Sequence, residues 1–301
     1  MRNFFIDKLV KNTKKNNKNF LIVGDLGYNV VESFAKKFPK NFLNVGVAEQ
    51  NMAGLAAGIA SEGFSVFIYS IANFPTFRCA EQIRNDIDYH NLSVNVISVG
   101  SGFSYGNLGY SHHAIQDYGL IRMFPNFTIH SPGDLSELNG CLEYIFASNH
   151  PNYLRLDKSK YNQSDYKKIN LKPKKLIKKF SYKKNNNKTI LMTGACQNLL
   201  NKLKIIDEFK NYDINSLPIW GSKYKKKLNK FFEKYKRVVT LEDHILDSGF
   251  GTWTLESNLN LKKSKIDCIA YDNLNIKVAG NKLYLENLSL KNNYYYKKIK
   301  N

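Results

Sequence analysis

The sequence predicts an α/β protein with two doubly wound sheets in tandem. Over residues 1–157, short apolar segments alternate with segments of helical periodicity, as in parallel strands joined by crossover helices. Residues 158–188 interrupt this pattern with twelve lysines and are predicted to form a linker. A second strand–helix alternation begins at Thr189 and defines a domain over 189–301. A chain of 301 residues is long enough for two such domains.

Six apolar, β-branched segments in the first predicted domain have the length and composition of buried strands. They are Phe20–Val23, Phe42–Val45, Phe64–Tyr69, Val94–Val99, Phe127–His130 and Tyr153–Leu156. In the second domain, strands are expected at Thr189–Thr193 and Arg237–Glu242, with a helix over Leu199–Phe209.

The composition indicates a globular protein without a membrane span. Hydrophobic residues make up 43% of the chain and aromatic residues 13%, but no apolar run is long enough to cross a bilayer. Residues 1–20 lack the apolar core of a signal peptide, so a cytoplasmic location is expected. The cysteines lie far apart and are predicted to be reduced, mostly buried thiols rather than a metal site or a disulfide frame. They are Cys79, Cys141, Cys196 and Cys268.

The net charge of +20 comes largely from lysine- and asparagine-rich stretches such as Lys14–Asn19, Lys183–Lys188 and Lys223–Lys227. No recognised nucleic-acid motif accompanies them, and arginine, the usual reader of bases, is scarce. We therefore expect no nucleic-acid partner. A basic surface favours phosphorylated substrates or an acidic partner.

Asp25 follows the first predicted strand in the glycine-flanked turn Gly24–Gly27. Because open α/β sheets bind ligands at the carboxyl ends of their strands, Asp25 is a candidate cofactor-binding residue. The alternative is that Asp25 caps the helix expected near Val30.

The most informative segment is Asn41–Gly63, NFLNVGVAEQNMAGLAAGIASEG. It predicts a short strand, a turn and a helix that begins near Glu49. Glycines at 54 and 58 cost a helix roughly 1 kcal/mol each relative to alanine, so we expect another backbone or a bulky ligand to approach there. By position alone, Glu49 is explained as a first-turn acid that complements the helix dipole.

The string GVAEQNMAGLAAGIA resembles the cofactor-activating segment of the transketolase family, in its pyrimidine-binding half. The resemblance implies that Glu49 bonds N1′ of the thiamine diphosphate aminopyrimidine. It also implies that aromatic residues after the next strand stack on that ring, which maps to Phe74 and Phe77. Ile71 stands where many members have an aromatic residue, so one wall of the pocket is expected to be aliphatic. The alternative for both phenylalanines is an ordinary core position.

The segment YSHHAIQD resembles the G-x-T-H-x-x-x-(E/D) element of transketolase-like enzymes. The resemblance implies that His112 is catalytic and faces the sugar substrate, with His113 as a weaker substrate-binding candidate. The alternative is that the pair caps a helix that begins near Ile115. Leu108 stands where typical transketolases carry an aspartate that contacts a sugar hydroxyl, so either a less common acceptor or a different way of holding it is expected.

A third similarity lies near the C-terminus, where RVVTLEDH and DSGFG resemble the V-T-x-E-x-H and G-G-x-G signature of the transketolase C-terminal domain. Ser248 replaces the first glycine of that signature. His244 is expected either to approach the mouth of the active site or to cap a helix.

The half of a thiamine enzyme that binds the diphosphate through Mg²⁺ carries a GDG…N segment, whose hard oxygen ligands suit that ion. This chain contains no GDG string. The resemblance therefore implies the C-terminal subunit of a split transketolase, with no metal ligands of its own. A separate diphosphate-binding N-terminal subunit would hold Mg²⁺, in a heterotetramer or higher α/β assembly with active sites between chains.

The implied reaction moves a two-carbon ketol unit from a ketose phosphate to an aldose acceptor. Two alternatives remain at this stage. One is a thiamine enzyme chain of the 1-deoxyxylulose-5-phosphate synthase or 2-oxoacid dehydrogenase β type. The other is a non-catalytic partner or regulatory subunit.

Overall fold

Two mostly parallel β-sheets form the frame of the chain. The computed structural model describes residues 1–161, 176–181, 186–273 and 277–292. Within these ranges, no helix is long and apolar enough to cross a membrane. Cys79, Cys141 and Cys196 are buried free thiols and Cys268 is a partly buried one, in agreement with the sequence.

The first sheet has seven strands in the order β10-β5-β6-β4-β3-β1-β2. All neighbouring pairs are parallel except β10–β5, which is antiparallel. The strands are β1 (Asn19–Val23), β2 (Phe42–Asn44), β3 (Ser65–Ile71), β4 (Val94–Val99), β5 (Thr128–His130), β6 (Asn152–Leu156) and β10 (Ile219–Trp220). The first six lie close to their predicted positions. Five of them have mostly buried side chains, as expected inside a parallel sheet, whereas β2 is a partly exposed edge strand.

Helices connect the strands of the first sheet. They are α1 (Arg2–Thr13), α2 (Glu32–Lys37), α3 (Glu49–Ser61), α4 (Phe74–Phe77), α5 (Ala80–Gln82), α6 (Asp117–Ile121) and α7 (Leu135–Phe146). A π-helical turn, Ile83–Asp88, follows α5. Helix α1 was not predicted, yet it buries Phe5, Ile6 and Leu9 in the core.

The second sheet has five strands in the order β12-β11-β8-β9-β7, parallel except for β7 against β9. The strands are β7 (Lys178–Ser181), β8 (Lys188–Met192), β9 (Asp213–Ser216), β11 (Arg237–Ile245) and β12 (Lys265–Tyr271). Its helices are α8 (Gln197–Lys204), α9 (Asn229–Lys234), α10 (Phe250–Asn258) and α11 (Lys282–Asn292).

The linker predicted over 158–188 needs correction in one part. Residues 178–181 form β7, the antiparallel edge strand of the second sheet. An edge position tolerates the lysines that hid this strand in the sequence, because one side of an edge strand faces solvent. The rest of the predicted linker lies partly outside the described residues, at 162–175 and 182–185.

The two halves of the chain share buried contacts. Strand β10 belongs to the second half of the sequence but pairs with β5 in the first sheet. Arg155 on β6 is fully buried, with Nε 2.8 Å from Asp117 Oδ2 and Nη1 2.5 Å from Asp243 Oδ1 on β11. Its Nη1 also donates to the Tyr118 hydroxyl at 3.1 Å, and Nη2 donates to the carbonyl of Ala114. One guanidinium therefore ties the first sheet to the second.

We expect Arg155→Met to lower the free energy of unfolding by about 3–5 kcal/mol, because it leaves two buried carboxylates without their cation. Equilibrium urea denaturation measures the change. Arg84→Met is the matched control, since Arg84 is exposed and its side chain bonds the adjacent Asn85, and should stay within about 0.5 kcal/mol of wild type. Equal effects of the two substitutions would contradict this role for Arg155.

Candidate active site

The site lies at the carboxyl edge of the first sheet, between β1 and β3. From β1 the chain moves to β2 on one side, whereas β3 and β4 lie on the other side. Such a reversal of strand order opens a crevice for ligands in open α/β sheets. The segments that follow β1, β2, β3 and β4 meet there, and they carry every candidate residue predicted in the first domain.

Glu49 is the first residue of α3, and only 3% of its side chain is exposed. Its Oε2 accepts a hydrogen bond from Arg78 Nη1 at 3.0 Å. Its Oε1 is buried, and no hydrogen-bond partner for it is found within the described residues. Within the described residues, neither carboxylate oxygen accepts from a backbone N–H of α3, so capping does not explain its position.

Phe74 begins α4 and presents its ring to two other groups. The guanidinium carbon of Arg78 lies 4.0 Å from the centroid of the Phe74 ring. The ring of His112 lies 5.2 Å away at an interplanar angle of 71°. Phe77, at the other end of α4, is 46% exposed, and Ile71 is half-buried at the end of β3.

Cys79 lies deeper, behind these residues. Burial, with a smaller contribution from the Glu49 charge, raises the pKa of its thiol to about 12. The thiol therefore stays protonated at neutral pH and is unsuited to act as a nucleophile.

His112 and His113 point in different directions. His112 bonds the Ser111 hydroxyl through Nδ1 at 2.9 Å. Partial burial, followed by the charges of Arg78 and His113, lowers the pKa of His112. His113 is fully buried, with its ring 5.0 Å from that of Phe103 and Nε2 3.3 Å from the carbonyl oxygen of Gly106.

The arrangement of the two histidines follows from the local backbone. His112 ends a 3₁₀ turn, and the following residue is extended, which turns adjacent side chains to opposite sides. Neither histidine caps α6, which begins only at Asp117. The complete burial of His113 does not fit the predicted contact with a sugar, whereas His112 is partly exposed and lies beside Phe74.

Asp25 occupies a left-handed conformation with φ of 56° and is exposed. Its Oδ1 accepts from Asn44 Nδ2 at 3.1 Å, and its backbone N–H donates to Asn44 Oδ1 at 3.0 Å. The same Asn44 oxygen accepts from the backbone N–H of Gly46. Asp25 thus braces the turn before Glu49 and does not cap α2, which begins at Glu32.

Residues 1–164, more than half of the chain, match the family described as "Transketolase, pyrimidine binding domain". The chain belongs to this family. The match covers the whole first sheet apart from β10, together with all the candidate residues described above.

Relatives and a solved structure extend this result. The chain is 35% identical over 157 residues to a putative transketolase C-terminal section of Methanocaldococcus jannaschii, covering 52% of this chain and 50% of that protein. It is 38% identical over 127 residues to one of the subunits of an apulose-4-phosphate transketolase from Actinobacillus succinogenes. That match covers 42% of this chain and 41% of the relative. The match thus spans half or less of these relatives.

A solved structure, that of a split-gene transketolase described as an inactive β4 tetramer, superposes on this chain with a TM-score of 0.77. The two are 26% identical, and the superposition covers 90% of this chain and 89% of the other. The predicted α/β fold is confirmed.

Two residues at the transketolase-type site were not recognised in the sequence. Arg78 lies four residues after Phe74, a spacing that places both on one face of a helical turn. Asn73 donates from Nδ2 to the backbone carbonyls of Ser111 and His113 at 3.1 and 2.9 Å. Asn73 therefore joins the segment that carries Phe74 to the segment that carries His112. No local sequence pattern reveals such a contact across 38–40 residues.

In this chain, the residues of the C-terminal signature have structural roles. His244 is fully buried and stacks on Tyr118 at 4.6 Å, and burial lowers its pKa to about 3. It neither reaches the site nor caps a helix. Glu242 caps α10 instead, accepting from the N–H groups of Phe250 and Gly251 at 2.6 and 2.8 Å. Ser248, which stands in place of the first glycine of the signature, has a left-handed conformation with φ of 55°, a region that favours glycine.

Across residues 1–161, 176–181, 186–273 and 277–292, no group of three or more histidine, cysteine, aspartate or glutamate residues could hold a metal ion.

We expect the pKa of His112 to lie below the usual 6.5 and to rise in Arg78→Met, because removal of a nearby positive charge favours the imidazolium form. Proton NMR of the imidazole ring resonances against pH measures both. His150 is the internal control, since its pKa is lowered by burial and by Lys223 rather than by Arg78. An unchanged pKa of His112 in the variant would contradict the assigned geometry.

Proposed function

We propose that the chain is the pyrimidine-binding C-terminal subunit of a split, thiamine-diphosphate-dependent transketolase. With a separate diphosphate-binding subunit, it would transfer a two-carbon ketol unit from a ketose phosphate to an aldose acceptor. The observation that carries the proposal is a buried glutamate beside an aromatic face at the sheet edge, in a chain of the transketolase pyrimidine-binding family.

The residues present fit an aminopyrimidine ring. Oε1 of Glu49 is buried with no hydrogen-bond partner in the described residues, and a ring nitrogen would satisfy it. Phe74 would supply a stacking face, with Ile71 and Phe77 as further walls and Asp25 at the neighbouring strand end. When bound, thiamine diphosphate would supply the carbon–carbon bond chemistry, and the protein would supply orientation and electrostatics.

Glu49 and His112 would carry the proton chemistry. Glu49 would hold a proton between its carboxyl group and N1′ of the ring, in a place shielded from water. The lowered pKa of His112 keeps its imidazole neutral near pH 7, so that it can donate or accept a hydrogen bond to a sugar oxygen. Because His113 is fully buried, we leave it out of the proposed substrate contacts.

The surface of α3 supports a partner subunit. A Cβ added at Gly54 or Gly58 would meet nothing within 4 Å, so no neighbouring backbone among the described residues explains these glycines. Leu55, next to Gly54, is 37% exposed, and Val47, two residues before the helix, is 72% exposed. A partner that packs closely against this face would account for both observations. That partner would also provide the Mg²⁺ ligands.

The donor is proposed to be a phosphorylated ketose outside the common pentose phosphates. Leu108, at the position of the usual sugar-binding aspartate, is 57% exposed and cannot bond a hydroxyl. The A. succinogenes relative is named for a different phosphorylated sugar, apulose 4-phosphate, which supports a departure from the usual substrates.

We expect Glu49→Ala to abolish turnover in the complex reconstituted with the diphosphate-binding subunit, while the fold stays intact because the released Arg78 is 47% exposed and is readily solvated. Coupled assays with ketose phosphate donors and thermal unfolding test this. Glu62→Ala is the matched control at the exposed end of the same helix. Full activity of Glu49→Ala would contradict the role of Glu49 in catalysis.

If wild type turns over 2-oxoacid donors but no ketose phosphate, the chain belongs instead to a thiamine enzyme of the 1-deoxyxylulose-5-phosphate synthase or 2-oxoacid dehydrogenase type.

We expect Gly58→Leu to prevent assembly with the partner while leaving the free chain as stable as wild type, or up to about 1 kcal/mol more stable, because leucine favours the helix over glycine. Light scattering after size-exclusion chromatography measures assembly. Lys11→Leu, at an exposed position of α1, is the control. Normal assembly of Gly58→Leu would show that this face is not the contact.

A further inference from the structure

Arg78 makes the two contacts that a bound aminopyrimidine would need. Its Nη1 donates to Glu49 Oε2 at 3.0 Å, and its guanidinium carbon lies 4.0 Å over the centroid of the Phe74 ring. A guanidinium is planar, hydrogen-bonds in its own plane and stacks through its faces. An aminopyrimidine shares these three properties. A ring that bonds Glu49 Oε1 and stacks on the same face of Phe74 would occupy the place of the guanidinium, so the two groups exclude each other there.

The ion pair with Arg78 also stabilises the buried carboxylate of Glu49 when no cofactor is bound. Glu49 is 3% exposed, and a carboxylate buried without a cation is strongly unfavourable. Arg78 supplies the charge from a position that is 47% exposed, so its side chain has an open route into solvent. Within the described residues, the only ion pair of Glu49 is with Arg78.

We propose that Arg78 is a place-holder for the aminopyrimidine, which pairs with Glu49 and covers Phe74 until thiamine diphosphate displaces it. This inference rests on the proposed function of the site. It adds that cofactor binding is a competition, in which the ring takes the place of the guanidinium against Phe74 and bonds the carboxylate of Glu49. The half-exposed ion pair makes the competition modest rather than prohibitive.

The test is the affinity of thiamine diphosphate, measured by calorimetry with Mg²⁺ in the complex with the diphosphate-binding subunit. We expect Arg78→Met to bind the cofactor about two- to tenfold more tightly than wild type, because nothing competes for Glu49 and Phe74. Arg78→Lys should lie between the two, since its ammonium keeps the ion pair but cannot stack as a flat group. Arg84→Met, which removes an exposed arginine further along the chain, should match wild type.

A second measurement separates competition from a general change of structure. Millimolar guanidinium chloride should weaken cofactor binding to Arg78→Met more than the same concentration of sodium chloride does, because the free ion can occupy the vacated place. Wild type should respond equally to the two salts. Thermal unfolding of each variant confirms that the fold is retained.

The outcomes distinguish the inference from the function on which it rests. Suppose that wild type binds thiamine diphosphate, that Glu49→Ala weakens this binding, and that Arg78→Met does not strengthen it. The place-holder role of Arg78 is then wrong, and the proposed function stands. If the wild-type complex fails to bind the cofactor, the proposed function is wrong and the inference falls with it.

Discussion

The buried guanidinium of Arg155 is the contact on which the arrangement of the site depends. It reaches Asp117 in the first half of the chain and Asp243 in the second, and it also bonds the carbonyl of Ala114. Ala114 lies two residues after His112 and pairs with Gly102 in an isolated β-bridge. At Gly102 even a Cβ would come within 3.1 Å of the Asp243 carbonyl oxygen. The second half of the chain therefore packs against Gly102, the bridge partner of Ala114 in the segment that carries His112.

Burying one cation between two carboxylates is an expensive way to join two sheets. Removing such charges from water costs several kcal/mol per ion, and their attraction returns this only with good geometry. In return, the guanidinium accepts only a narrow range of positions for its partners, which fixes the relative placement of β6 and β11. The neutral state of His244, stacked on Tyr118 beside this cluster, adds no further charge. We infer that the cluster of Arg155, Asp117 and Asp243 chiefly fixes the position of one sheet relative to the other, and only secondarily adds stability.

Much of the fold could be predicted because buried parallel strands are short apolar runs that local sequence reveals. Helix α1 was missed because lysine and asparagine obscure its apolar stripe of Phe5, Ile6, Leu9 and Val10. The two-residue strand β10 exists only through pairing with β5, and no local pattern encodes that partner. Motif similarity pointed to Glu49, Phe74 and His112, which the structure brings together. The motif also favoured His112 over His113, but it gave no physical reason. The structure supplies one, because a 3₁₀ turn ends at His112 and the extended residue after it places the ring of His113 in the interior.

The free chain carries two features that are unfavourable in isolation and lie on one helix. Oε1 of Glu49 is buried without a partner in the described residues, and α3 contains two glycines at which an added Cβ would meet no described neighbour. Each is a loss of about 1 kcal/mol or more that packing within the described chain does not recover. Both lie on the same helix, Glu49 buried at its first residue and the glycines on its open surface. A second polypeptide that covers α3 and a heteroaromatic ring that satisfies Glu49 would remove both losses together. Both features support the proposal that the chain forms one half of a site that a partner subunit completes.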